Sequence, residues 1–132
     1  MRTRTFPGLG FDPTPGSPAD VETVLERLAR ATSAVDASAG DLRRAARPGS
    51  WRGAAASAFR ADTAEVAGRL DSAVTALRSA ARAVSSWQAR LVANQREADA
   101  LESAACRLRV APEAAAALAR VLDRAGRLAA RH

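Results

Sequence analysis

The sequence predicts an all-α fold, and three observations lead to that prediction. Of the 132 residues, 35 are Ala, and Leu and Arg are also abundant, a composition that favours helix. Ile and Tyr are absent, so residues that favour strands are scarce. Proline occurs only within the first 18 residues and at positions 48 and 112, which leaves two long stretches free for helix. We therefore predict a long antiparallel helical hairpin and a shorter third helix, arranged as an extended bundle.

Residues 1–17 form a Pro/Gly-rich N-terminal arm in this prediction. Three prolines and three glycines in this segment exclude regular helix. Phe6 and Phe11 also lie here, so we expect the arm to dock along the helices instead of remaining free.

The first helix is predicted from Pro18 to Ala46. Ser17 suits the N-cap, Pro18 suits the first helical position, and Asp20 lies near the positive end of the helix dipole. Pro48-Gly49 ends the helix. A seven-residue apolar repeat predicts a packing seam of the coiled-coil type, built from Val21, Leu28, Val35 and Leu42.

The second helix is predicted from Ala54 to Arg107, so that the hairpin comprises residues 18–107. At 1.5 Å per residue it would be roughly 80 Å long, against roughly 43 Å for the first helix. The first helix can therefore cover only its first half. The predicted seam runs through Leu70, Leu77, Val84, Leu91, Ala98 and Ala105, with a second row of Val66, Val74, Ala81, Gln88 and Leu101.

Residues 108–132 are predicted to form a basic C-terminal helix, from Pro112 to about Ala130. Two arrangements stay open: this helix packs along the second half of the hairpin's longer helix, or it is a detached tail that awaits a partner. Residues 107–132 contain six Arg against Glu113 and Asp123, a net charge of +4 out of +6 for the chain. Such a segment can attract an anionic partner, or it can reflect a general use of Arg in place of Lys, which is absent.

The sequence offers no recognisable chemistry. His132 is the only His and Cys106 the only Cys, so neither a catalytic triad nor a metal cluster can be assembled from them. We assign no catalytic, cofactor-binding or metal-binding residue. No stretch approaches 18 consecutive apolar residues, so no membrane span is expected. The N-terminal segment has no apolar core of the kind found in Sec signal peptides.

The connection between the two long helices contains Trp51-Arg52-Gly53. Gly53 permits a sharp turn, and Trp51 can place a large rigid ring against the end of the bundle. Over Phe11–Leu101, the stretches FDPTPGSPADVETVLERL, WRGAAASAFR and SSWQARLVANQREADAL resemble the Trp-X-Gly (WXG) helical-hairpin family of type VII (ESX) secretion substrates. More specifically, they resemble the actinobacterial domain, a putative type VII secretion signal, found at the N-terminus of polymorphic toxins.

The resemblance implies a hairpin that pairs with a partner hairpin, homo- or heterodimeric, into a four-helix bundle, and export by an ATPase-driven membrane machine. It implies that Trp51, Gly53 and Phe59 contact the partner or the secretion ATPase. Trp87 lies on the second helix beyond the reach of the first, and two roles stay open for it: a core residue against the third helix, or a contact with a partner. Family members commonly carry a Tyr-x-x-x-Asp/Glu signal after the second helix. This chain has no Tyr, so a partner would have to supply that signal. Toxin-bearing relatives continue into an effector domain, so we expect either a stand-alone partner or a targeting domain without its cargo.

The function expected from these features is that of a non-catalytic, type VII secretion-associated interaction and targeting module. Such a protein is made in the cytoplasm and secreted without a signal peptide. One alternative is a cytoplasmic adaptor or chaperone for a secreted toxin. Another is an Arg-rich nucleic-acid-binding protein, which is disfavoured because the basic segment contains no aromatic residue for base stacking.

Overall fold

The structure is a computed structural model that describes residues 4–132, with only the backbone of Pro112. Residues 1–3 of the predicted arm lie outside the described residues. Helix α1 is Pro18–Ala45, α2 is Ala54–Arg109, and α3 is Ala115–Arg131, preceded by one turn of 3₁₀ helix at Pro112–Ala114. No strand occurs between residues 4 and 132. The predicted all-α class with three helices is confirmed.

The helix ends follow from the proline positions. Helix α1 stops three residues before Pro48, and α2 stops three residues before Pro112. Ala111 between α2 and the 3₁₀ turn is extended, with φ −112° and ψ 107°. The residue before a proline is driven out of the helical region by a steric clash with the proline ring, which explains why α2 and α3 are separate helices.

The chain divides into two compact units. The α1 unit is Ala19–Ser85 and contains α1 and the first part of α2. The arm unit contains the N-terminal arm through Pro18, together with Ser86–His132.

In the α1 unit, ion pairs connect the two helices. Arg43 pairs with Asp71, and Arg78 lies 4.0 Å from Asp36. Asp36 and Arg43 follow each other along α1, and their partners Arg78 and Asp71 occur in the reverse order along α2. Most of the buried side chains in this unit are small, so its core is thin; they are Val21, Ala39, Ala56, Thr63, Ala67 and Val74.

The predicted seam is largely observed. Leu70, Leu77 and Val84 are half-buried, and Val74 of the second row is buried. Val66, also predicted in the second row, is 46% exposed, so that part of the prediction is wrong. The reason is its angular position: Val66 lies to one side of the line through Thr63, Ala67 and Leu70, which turns toward α1.

The arm unit has its own hydrophobic core, to which the arm, α2 and α3 all contribute. Its buried members are Phe6, Leu9, Ala98, Leu101, Ala105, Ala125 and Leu128, with Leu118, Val121 and Leu122 packed against them. The arm thus docks on the helices through Phe6, whereas Phe11 is 42% exposed. The alternative left open for the C-terminal helix is also decided, because α3 packs along α2 within the same chain.

None of the helices in residues 4–132 combines the length and apolar character needed to cross a bilayer.

Candidate interaction surface

Trp51 and Phe59 form an exposed aromatic pair in the α1 unit. Their ring centroids lie 5.6 Å apart with an interplanar angle of 51°, a tilted geometry that aromatic pairs prefer. Trp51 is 53% exposed and Phe59 44%. The expectation that Trp51 covers the end of the bundle is therefore met only in part: the ring rests on the first turns of α2 and leaves about half of its surface in solvent.

The backbone around Trp51 is held in place by α2. Arg60 Nη2 donates a hydrogen bond of 2.7 Å to the carbonyl oxygen of Trp51. Gly53 has φ +108°, a conformation that L residues with a side chain rarely adopt, and its carbonyl accepts the first helical bond from Ser57 N–H. Gly53 thus acts through its backbone, since it allows the chain to turn directly into α2 behind the indole.

The exposed aromatic pair continues into a strip of uncharged residues. On α2, residues at seven-residue spacing lie on nearly one side of the helix, and one such series starts at Phe59. On α1, a similar series starts at Val24, which is 44% exposed. We call these two series together the uncharged face; its members are Val24, Ala31, Ser38 and Ala45 of α1 and Phe59, Val66, Ala73 and Ala80 of α2.

The two flanks of the α1–α2 seam differ in charge. One flank carries the ion pairs Arg43–Asp71 and Asp36–Arg78. The uncharged face occupies the opposite flank of both helices, because its positions lie on the other side of the seam from these four residues. Asp71 raises the pKa of Arg43 through its hydrogen bond and its charge. A partner that packs against the members of the uncharged face does not have to desolvate these two ion pairs.

Trp87 belongs to the arm unit and is 41% exposed. It lines a cleft of about 310 Å³ together with Arg90, Leu91, Asn94, Arg131 and His132. Trp87 is therefore not a buried core residue against α3, one of the two roles that the sequence left open for it. Its exposed indole remains available for contact with another molecule.

The arm is fastened to α2 by a group of polar contacts around Glu102. The Glu102 carboxylate accepts hydrogen bonds from Gly8 N–H at 2.7 Å and Leu9 N–H at 2.9 Å. Arg109 Nε donates to the Gly8 carbonyl at 2.7 Å. Partial burial acts to raise the pKa of Glu102, but these two N–H groups, the Cys106 thiol and the Arg109 charge outweigh it, and the pKa is lowered.

Further contacts extend this attachment toward both ends of the arm. Arg4 pairs with Asp99 and donates to the Gln95 carbonyl at 3.0 Å. Gln95 Nε2 donates to the carbonyl of Gly16 at 3.0 Å. His132 Nε2 lies 2.7 Å from the carbonyl oxygen of Pro15. Nothing in the sequence identified these contacts, because they join residues that are roughly 80 to 120 positions apart.

Cys106 and His132 were the two residues considered as catalytic or metal-binding candidates, and the side chains of both make polar contacts within the arm unit. The Cys106 thiol donates to Glu102 at 3.1 Å, which raises the pKa of Cys106 and disfavours the reactive thiolate. Besides Pro15, the His132 ring contacts Asn94 at 3.3 Å. Residues 4–132 contain no group of three His, Cys, Asp or Glu side chains placed to hold a metal ion.

The four residues singled out from the sequence therefore fall into two places. Trp51, Gly53 and Phe59 come together in the α1 unit, and Trp87 lies in the arm unit. Val24 and Val66 were missed as surface residues, because a position beside a seam is buried or exposed according to how the neighbouring helix is rotated. Comparison with protein-family models, with curated proteins and with solved structures finds no match to this chain.

Proposed function

We propose that this chain is a non-catalytic, type VII secretion-associated interaction and targeting module. In this proposal α1 and the first part of α2 form the WXG-type helical hairpin, with Trp51-Arg52-Gly53 at its connection. The hairpin pairs with a helical partner, either a second copy or a related hairpin, to complete a four-helix bundle. The protein is made and folded in the cytoplasm and exported without a signal peptide, and the secretion ATPase is a second candidate partner.

The observation that carries this proposal is the exposed Trp51–Phe59 pair at one end of the uncharged face. Large aromatic side chains at about half exposure are common anchors of protein interfaces. Val24 and Val66 add two further exposed apolar side chains in the same unit. The thin, Ala-rich core of the α1 unit supports the same interpretation, because it buries little apolar area by itself.

The first test is the solution mass of the purified chain by light scattering, alone and mixed with the product of the neighbouring gene. A dimer or a one-to-one complex is the expected result. A monomer in both samples counts against hairpin pairing. Secretion of the chain by cells with and without a functional type VII ATPase then separates an exported module from a cytoplasmic adaptor, which would remain inside the cell in both.

A pair of substitutions locates the interface. Val66→Glu places a carboxylate in the uncharged face and should weaken association by at least about 30-fold, since an unpaired charge buried in an interface costs on the order of 2–5 kcal/mol. Ser72→Glu adds the same charge at an exposed position of α2 away from the seam and should leave association unchanged. If the two substitutions change the association constant equally, the uncharged face is not the interface.

A further inference from the structure

Helix α3 presents four arginines along one side. Arg120, Arg124, Arg127 and Arg131 follow the spacing i, i+4, i+7 and i+11, which places them within a narrow strip of a helix surface. We call this strip the arginine face. Arg120 is exposed, and the side chains of Arg124, Arg127 and Arg131 are 63%, 66% and 66% exposed. At 1.5 Å per residue the strip is roughly 16 Å long.

The opposite side of α3 accounts for this orientation. Leu118, Leu122, Ala125 and Leu128 pack into the core of the arm unit, so the arginines must point away from it. The arrangement is that of an amphipathic helix whose apolar side is satisfied within the chain. The polar side of α3 takes no part in this core.

Acidic residues neutralise only half of the arginine face. Glu97 of α2 lies 3.0 Å from Arg124 and 3.6 Å from Arg131, and Asp123 pairs with Arg127. Arg120 makes no ion pair within the part of the chain that the structure describes. Two carboxylates serve four guanidinium groups, which leaves two positive charges without compensation. A cleft of about 750 Å³ lies along the strip, lined by Glu97, Arg124, Arg127, Ala130 and Arg131.

Small side chains are frequent on the surface beside the arginine face. Ala116, Ala119, Gly126 and Ala130 are exposed on the adjoining side of α3, and a Cβ added at Gly126 would meet nothing within 4 Å. A second helix can therefore lie close to α3 while the long arginine side chains reach around to it. Small residues alone do not make this surface specific for one partner. The arginines provide the specificity, because they favour a partner with negative charge.

We propose that the arginine face binds an acidic helix of a partner protein, whose carboxylates recur at the same i, i+4, i+7 and i+11 spacing. Arg can form bidentate bonds with carboxylates, and the Arg124 guanidinium already binds a carboxylate oxygen of Glu97. We favour a helix over a nucleic acid because the small residues beside the arginine face allow a second helix to approach closely, whereas Glu97 and Asp123 repel phosphates and carboxylates alike. This inference concerns the arm unit and is independent of hairpin pairing by the α1 unit.

The test uses the full chain and two synthetic Ala-rich helical peptides of ~20 residues. One carries Glu at the matching spacing, and the other has the same composition with Glu distributed around the helix. Fluorescence anisotropy should show binding of the matched peptide at least about ten-fold tighter than of the scrambled one, since several exposed ion pairs act together. Equal affinity for the two peptides overturns the proposal.

Two double variants identify the surface. Arg120→Gln with Arg127→Gln should weaken binding of the matched peptide by about five-fold, as two of four pairs are lost. Arg27→Gln with Arg30→Gln removes the same charge from exposed positions of α1 and should leave the affinity for the matched peptide unchanged. If both double variants lose the same affinity for the matched peptide, binding depends only on the net charge of the chain, and the proposal is overturned.

A short duplex DNA provides the remaining comparison. Two results together would show that the arginine face binds phosphates and that the proposed partner is wrong. The chain would bind the DNA more tightly than the matched peptide, and the Arg120/Arg127 variant would lower the slope of log K for DNA against log salt concentration by about 2. Hairpin pairing, measured as solution mass, should be the same in both double variants, so failure of either hypothesis can be distinguished from failure of the other.

Discussion

The side chain of Glu102 holds the backbone of Gly8, 94 positions earlier in the chain, by a 2.7 Å hydrogen bond from the Gly8 N–H group. The same carboxylate accepts the next N–H group, that of Leu9, so one side chain of α2 orders two consecutive residues of the arm. Phe6 and Leu9 lie on either side of Gly8 and belong to the core. The Glu102–Gly8 hydrogen bond therefore helps to keep both apolar side chains buried.

Glu102→Gln should loosen the arm. The amide keeps one acceptor oxygen but loses the charge and the second acceptor, and a hydrogen bond to a charged group contributes about 1.5–3 kcal/mol. Because Glu102 is only partly buried, we expect the lower end of this range. Hydrogen exchange of the Gly8 and Leu9 amides measures the effect directly. Glu113→Gln, an exposed site with the same charge change, should leave both amides protected.

The same contact predicts a pH dependence. The pKa of Glu102 is lower in the folded chain than in the unfolded one, so its contribution to stability is complete above the ordinary glutamate pKa and is lost as the pH falls through the folded value. Protection of the Gly8 amide should therefore decrease on the acid side of that ordinary value, about 4.3. In the Glu102→Gln variant this decrease should be smaller; an identical pH profile in the two proteins contradicts the prediction.

Gly8→Ala should destabilise the arm unit because there is no room for a methyl group. A Cβ at position 8 would lie 2.8 Å from Cys106 Sγ and 2.9 Å from the Cys106 backbone nitrogen. Overpacking of this kind costs about 1–3 kcal/mol. Gly126→Ala, in the same unit, meets open space on α3 and should instead stabilise by about 0.5–1 kcal/mol. Urea unfolding of both variants tests whether the signs are opposite.

Gly53→Ala should destabilise the α1 unit through the backbone alone. No atom lies within 4 Å of the added Cβ, but φ +108° is strained for any residue with a side chain, at a cost of about 1–3 kcal/mol. Gly49→Ala serves as the control, since it is in the same connection, also has open space, and does not need a positive φ. Thermal unfolding should distinguish the two; similar melting temperatures would show that the turn at Gly53 can relax.

Trp51→Ala should weaken association more than any surface Arg substitution. A Trp at an interface commonly contributes on the order of 2 kcal/mol or more, which corresponds to at least about a 30-fold loss of affinity. The stability of the isolated chain should change far less, because Trp51 is 53% exposed. Arg52→Ala, at the neighbouring exposed position, is the matched control for the association measurement.

Helix positions could be predicted closely because local physical chemistry decides them. Pro18 at the first position of α1, Pro48 after its end and Pro112 after α2 act through missing N–H groups and fixed dihedrals, whatever the rest of the chain does. The exposure of Val66 could not be predicted in the same way. Whether a position near a seam is buried depends on how the neighbouring helix is rotated, and a difference of 60–70° around α2 turns a core residue into a surface residue.

The sequence by itself determined that this protein is helical, where its three helices lie, and that Gly53 lies in the connection between the two long helices. It also determined the arginine spacing on α3, because a periodic pattern is complete within one helix. Only the tertiary structure decided that Glu102 binds the backbone of the arm, that α3 packs against α2 of the same chain, and that Trp51 contacts Phe59 while about half of its side chain stays exposed. Each of these depends on contacts between segments far apart in sequence, and several alternative contacts satisfy the same local pattern.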